Sequence, residues 1–179
     1  FFPIQDREGA LLPVFAAVRD GLDTRIDAVR KGYERVLSAR LKDAKFFYEE
    51  DTKSQLETYV PGLEGIVFHE GLGTVLEKTR RIVALSEAIA DKLEYHGDTK
   101  AKAKRAAELC KADLITNMVR EFPELQGVMG REYALLFGEN EDTARAIFEH
   151  YLPRFRGDIL PESPAGVILA LADRIDTVA

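Results

Sequence analysis

Cysteine is nearly absent from this 179-residue chain. Cys110 stands alone, and one thiol cannot pair within the chain, which excludes a disulfide framework and fits a reducing cytoplasm. Long apolar runs are missing too: none approaches the ~20 residues that a membrane-spanning helix needs, and no signal-peptide pattern is present. Nor is there an excess of base. Lys and Arg number 25 against 31 Asp and Glu, a net charge of −6, whereas a stand-alone nucleic-acid binder usually carries a basic domain. Any RNA contact is therefore confined to a local patch. Histidine is sparse, and His69, His96 and His150 show no short metal-ligand spacing. They read as solvated or structural, His96 lying beside Gly97 at a helix end, where a cationic group favours the macrodipole.

What is present is helical periodicity. The length suffices for one well-buried core, or for one domain plus a piece of another. The chain has no initiator Met and stops at DTVA inside a helical pattern, so it reads as part of a longer polypeptide. Two short β-prone runs flank Asp6-Arg7-Glu8-Gly9, which predicts a hairpin and is the one convincing strand signal. From about Asp23 to Glu50, Ile26, Val29, Tyr33, Val36, Leu37 and Leu41 recur at three- and four-residue steps, as an amphipathic helix requires. Pro61, Gly62 and Gly65 suggest a boundary.

Beyond it helices follow one another. Thr74 and Glu77 form a capping-box pattern for a helix ending near Gly97. Asp98 is the expected N-cap of a second, with a narrow Ala103, Ala106, Ala107, Cys110, Leu114 stripe. Others start near Pro123 and Glu141. Ser163-Pro164 opens the last, which should turn Ile168, Leu171 and Ile175 inward. The fold class expected is mainly α: a helical domain of five or six helices over residues 66–179, preceded over residues 1–65 by the hairpin and long helix of a neighbouring domain.

The run EFPELQGVMGREYALLFGE, Glu121 to Glu139, holds more than periodicity demands, combining Pro123, ELQG, Met129-Gly130 and the i,i+4 pair Tyr133 and Phe137. With its flanks LCKADLITNMV and EHYLPRFRGDILP it resembles the beta subunit of the two-subunit bacterial glycyl-tRNA synthetase. GYERVLSARLKDAKFFYEED, Gly32 to Asp51, is similar to that family's GNERVLRARLxDAxFFxxxD, with Tyr33 where the family usually has Asn. FHEGLGTVLEKTRRI and ALADRIDT also match, so the likeness runs from about Phe2 to Thr177. Leu125, Met129, Tyr133 and Phe137 read as core, while Gln126-Gly127 and Gly130-Arg131 are expected at a domain or subunit contact.

The resemblance implies an HD-like helical domain, related to phosphohydrolases that bind a metal through a His-Asp pair, another His and a distant Asp. Here the His-Asp step is Ala112-Asp113, the distant Asp is Asp173, and the first ligand falls near Arg80 and Arg81, so no metal is expected. The alternative for Asp113 and Asp173 is to cap helices or pair with those arginines. Asp176, i+3 from Asp173, leaves a two-carboxylate site sterically possible. Cys110 has no evident His partner and reads as buried and inert.

Lys100, Lys102, Lys104, Arg105 and Lys111 form the densest basic segment. Lys100, Lys104 and Lys111 share a helix face that suits RNA phosphates, or is plain solvated surface. Arg131, Arg154 and Arg156 are further candidates. By resemblance the parent is a cytoplasmic ligase charging tRNA(Gly) with glycine, using ATP, with Mg expected, in a complex of alpha and beta subunits. Its alpha subunit holds the adenylation site. This stretch, which shows no ATP-binding glycine loop, carries no catalytic residue and no cofactor of its own, and its partners are tRNA, the alpha subunit and the rest of the beta subunit. An active metal-dependent phosphohydrolase and a purely structural connector are the other readings.

Overall fold

The computed structural model describes residues 1–21 and 24–178. Asp23, where the apolar periodicity starts the long helix, and Ala179, the expected end of the helical domain, lie outside the described residues. The chain divides into two compact units, Phe1–Phe46 and Phe47–Ala179. The Tyr59 to Gly65 stretch, where the glycines and proline suggest a boundary, lies within the second.

In the first unit strands β1 (Phe2–Gln5) and β2 (Leu11–Ala16) pair antiparallel, Phe2 opposite Ala16 and Gln5 opposite Leu11. The turn is the one the sequence predicts, because the Asp6 carboxylate accepts the amides of Glu8 at 3.0 Å and Ala10 at 2.8 Å. Helix α1 (Ile26–Asp51) is anchored through Tyr33, whose ring meets Phe1 edge-on at 5.3 Å, while Phe1 in turn meets Phe15 at 5.4 Å. Its expected apolar stripe is only partly covered. Val29, Tyr33 and Leu37 are half-buried, whereas Ile26, Val36 and Leu41 are exposed.

The second unit has a 3-10 segment (Leu56–Gly65) that buries Leu56 and Leu63. Next comes an antiparallel pair that the sequence pattern does not announce, β3 (Val67–His69) with β4 (Gly73–Thr74); strands this short cannot display alternation. Helix α2 (Val75–Lys92) starts at the expected capping box: the Glu77 amide donates to Thr74 Oγ1 at 3.2 Å, and the Thr74 amide donates to Glu77 Oε2 at 2.8 Å. Helix α3 (Asp98–Leu109) has Gly97 as N-cap, with Asp98 already helical. Gly97 takes a positive φ of 60°, which its lack of a side chain permits and Asp98 would adopt only with strain.

Helices α4 (Asn117–Glu121), α5 (Val128–Leu136), α6 (Glu141–Glu149) and α7 (Pro164–Val178) complete the domain. Pro123 opens a 3-10 turn, Pro123–Leu125, and α5 begins only after Gly127. Helix α3 lies against α2, α6 and α7, and its fully buried Ala103, Ala106 and Ala107 let the helix backbones approach closely. Ser163 caps α7 as expected, its Oγ accepting the Gly166 amide at 3.0 Å. That helix turns Ile168, Leu169 and Ala172 inward, but Leu171 and Ile175 outward: α7 packs on α2, α3 and α6 along a different face from the one those two residues define.

Candidate functional site

The carboxylates and cations singled out in the sequence fall into three groups. The first surrounds Asp113. It lies in a 3-10 turn, Ala112–Ile115, is 0% exposed, and meets neither Arg80 nor Arg81. Its Oδ2 accepts the backbone amides of Gly127 at 2.6 Å and Gly130 at 3.1 Å. Burial pushes its carboxyl up to about 6, against the opposing pull of those two amides.

Gly127 and Gly130 are therefore internal, which corrects their expected place at a domain or subunit contact. Gly127 has φ +76° and a Cβ there would lie 2.5 Å from the Tyr151 ring; a Cβ on Gly130 would stand 2.8 Å from Ile147 and 3.1 Å from Asp113 Oδ2. Only glycine lets both amides reach the carboxylate. Gln126 is exposed.

The second group is built on Asp51, the last residue of α1 and 1% exposed. Its Oδ1 accepts from the Asn117 amide and from Asn117 Nδ2, both at 2.9 Å, and its Oδ2 from the Met118 amide at 2.8 Å and the Tyr133 hydroxyl at 3.0 Å. A carboxylate at the N-terminus of α4 satisfies orphan amides and faces the positive end of the helix.

The third group joins α2, α6 and α7. Asp173 Oδ2 lies 3.1 Å from Lys111 Nζ and its Oδ1 3.1 Å from Lys78 Nζ. Lys78 also reaches Asp176 Oδ2 at 3.0 Å and Thr177 Oγ1 at 2.8 Å, and Arg81 grips Asp176 through two nitrogens at 2.5 and 3.2 Å. Burial opposes ionisation of Asp173, yet Lys111 and Lys78 hold its carboxyl down at about 2. Arg81 thus pairs in this cluster with Asp176. Arg80 is exposed along an open groove with Val60, Pro61 and Leu76.

Lys111 is the largest departure from the expected RNA-facing set. It is 6% exposed, its Nζ lies 2.8 Å from His150 Nε2 and 4.3 Å above the Tyr151 ring, and it points away from solvent. His150 is 0% exposed, and burial followed by the Lys111 charge drives its pKa well below the ordinary histidine value. Cys110 is buried and its thiol is pushed up to about 12 by burial, so it is inert.

These residues do not fit a metal. Ala112 offers no donor, an ammonium stands between His150 and Asp173, and no group of three or more His, Cys, Asp or Glu able to hold an ion occurs among the described residues. The arrangement locks helices together and offers no nucleophile or proton carrier to solvent.

The remaining cations lie on the surface. Lys100 pairs with Asp91, Lys102 with Asp98 and Asp142, Lys104 with Glu87, and Arg105 with Glu57, Glu108 and Glu139. The densest basic run is thus neutralised by its own fold. Arg131 pairs with Glu132 and lies 5.1 Å above the Phe148 ring; Arg154 pairs with Asp158 at 2.9 Å. Arg156 has no ion pair among the described residues. It is exposed in a loop where Phe155, Ile159 and Leu160 are at least 63% exposed.

The family profile described as glycyl-tRNA synthetase beta subunit matches residues 1–179. The chain belongs to that family. It is 55% identical over 179 residues to the glycine--tRNA ligase beta subunit of Clostridioides difficile, covering 100% of this chain and 26% of that relative. It is 48% identical over 179 residues to the Bacillus subtilis protein of the same name, again 100% of this chain and 26% of the relative. The chain thus spans about a quarter of the length of the curated relatives it matches.

The family motifs meet in three dimensions. FFYEED ends on Asp51, which receives Tyr133 of GREY; LCKAD ends on Asp113, which receives the amides of Gly127 and Gly130 from ELQGVMG. Sequence reasoning did not find the roles of His150, Lys78 and Asp51. His150 lies 39 positions from Lys111, a separation no local spacing rule detects. The Lys78/Arg81 and Asp173/Asp176 pairs did carry a signal, being complementary i,i+3 pairs on two helices.

Proposed function

We propose that this chain forms the helical scaffold and a tRNA-facing surface of a glycine--tRNA ligase beta subunit, acting with an alpha subunit, tRNA(Gly) and the rest of the beta subunit in the ATP-dependent charging of tRNA with glycine. The observation that carries this reading is the full-length family match, residues 1–179, with about half of the positions identical to ligase subunits. The polar clusters support a scaffolding role, since their charges are spent on one another and on backbone amides. Adenylation, with ATP and Mg, belongs to the alpha subunit in this scheme, and the cytoplasm is its place; among the described residues no helix is long and apolar enough to cross a membrane. Residues 1–65 continue the preceding domain of the parent, and residues 66–179 are an HD-like domain that has lost its metal.

The tRNA-facing surface is assigned to the loop bearing Arg154, Phe155 and Arg156, together with Arg131, in preference to Lys100 and Lys104, which already have carboxylate partners. An unpaired guanidinium attracts phosphate, and an exposed ring beside it offers a stacking platform for a base. Pyrophosphate exchange tests the division of labour. The purified chain should give no glycine-dependent ATP–pyrophosphate exchange above a buffer control; measurable exchange overturns the assignment of adenylation elsewhere.

A further inference from the structure

The hydrogen-bonding roles around Lys111 follow from elementary valence. His150 Nδ1 lies 2.5 Å from the carbonyl oxygen of Ile147, which only accepts, so Nδ1 carries the ring proton. In the neutral ring Nε2 is then a lone pair, and the ammonium of Lys111 at 2.8 Å donates to it. A histidine whose other nitrogen is pinned to a backbone carbonyl is the arrangement that fixes a metal-bound imidazole. Asp173 Oδ2 at 3.1 Å is the second donor aimed at the same point, and the face of Tyr151 at 4.3 Å closes a third side. Two ligand-type atoms and a π face thus converge on a positive charge, as they would on a bound cation.

We infer that the chain fills a cation site with its own Lys111: the ammonium occupies the seat between His150 Nε2 and Asp173 Oδ2 that a divalent transition metal would otherwise take. The seat is wider than a metal's. Donor distances of 2.8 and 3.1 Å are those of an ammonium, whereas Zn–N and Zn–O bonds are about 2.0–2.2 Å. The surroundings supply the remaining charge balance, with Lys78 on the other oxygen of Asp173 and Arg81 on Asp176. The filled seat is a property of the helical unit and is independent of the tRNA reading.

Removing the ammonium without filling its space should open the seat. Lys111→Ala is expected to melt lower than the parent chain and to recover part of that loss with Zn²⁺ or Co²⁺, the Co²⁺ form gaining visible absorption. The parent chain should show neither response. Lys111→Leu, which fills the space without charge or donor, should melt lower and not recover, and adding His150→Ala to Lys111→Ala should abolish the metal response. A folded Lys111→Ala chain that binds neither ion overturns the inference, as does a parent chain that binds them at this seat. If the variants do not fold, nitrogen NMR of the parent chain decides. The His150 ring should be the neutral Nδ1–H tautomer with an unprotonated Nε2 coupled to a slowly exchanging lysine ammonium; an Nε2–H tautomer or an imidazolium contradicts it.

Discussion

At Asp113 one buried carboxylate sets the local chemistry of the helical unit. The raised carboxyl pKa, about 6 against an ordinary 3.8, means that the folded chain binds more protons than the unfolded one between those values. The group's contribution to stability is therefore full below about pH 4 and is lost as pH rises through about 6, a swing on the order of 3 kcal/mol. Asp113→Asn keeps an oxygen for the amides of Gly127 and Gly130 and removes the charge. Its melting temperature should lack that component of the pH profile, so the difference from the parent chain should shift in favour of Asn between pH 4 and 7; parallel profiles would contradict this. Asp113→Ala strands two buried amides instead, costing about 1–3 kcal/mol at any pH.

Asp51 is the same kind of node. Asp51→Ala deprives three donors around α4, and the Tyr133 hydroxyl, of their acceptor and should cost on the order of 3 kcal/mol in chemical denaturation. The glycines of ELQGVMG stood out in the sequence, but their reason did not, because it depends on a carboxylate 14 and 17 positions away.

Individual helices were legible wherever local chemistry fixes an end. The Thr74–Glu77 box, the Asn140 cap of α6 and the Ser163-Pro164 start of α7 are satisfied by bonds within a few residues, so the sequence alone announces them. Thr74→Ala removes one side of the box and should lower stability by about 1 kcal/mol in urea titration, with an unchanged m-value. The outward turn of Leu171 and Ile175 and the short β3–β4 pair were not legible, since both depend on which neighbours each segment meets. The basic face drawn from Lys100, Lys104 and Lys111 failed for a related reason. Helical spacing fixes which side chains share a face but not the acids that α2, α6 and α7 bring to them.

Across the whole chain, family membership was legible from end to end, because its motifs are the residues that bond to one another in the core. The RNA-facing surface was not. With a net charge of −6 and the main basic run paired internally, attraction for RNA rests on few cations, chiefly those of the loop with Phe155 and Arg156. The most direct test places Phe155→Ala and Arg156→Glu together in the full-length beta subunit, assembled with its alpha subunit. Glycine-dependent ATP–pyrophosphate exchange and tRNA charging are then measured across a salt series. Exchange should be unchanged and the KM for tRNA raised, and the salt dependence of tRNA binding should become shallower by roughly 0.7–0.9 in log–log slope for each phosphate no longer bound. Unchanged charging of tRNA at every salt concentration, or exchange that falls in step with charging, would contradict a tRNA-facing role for this loop.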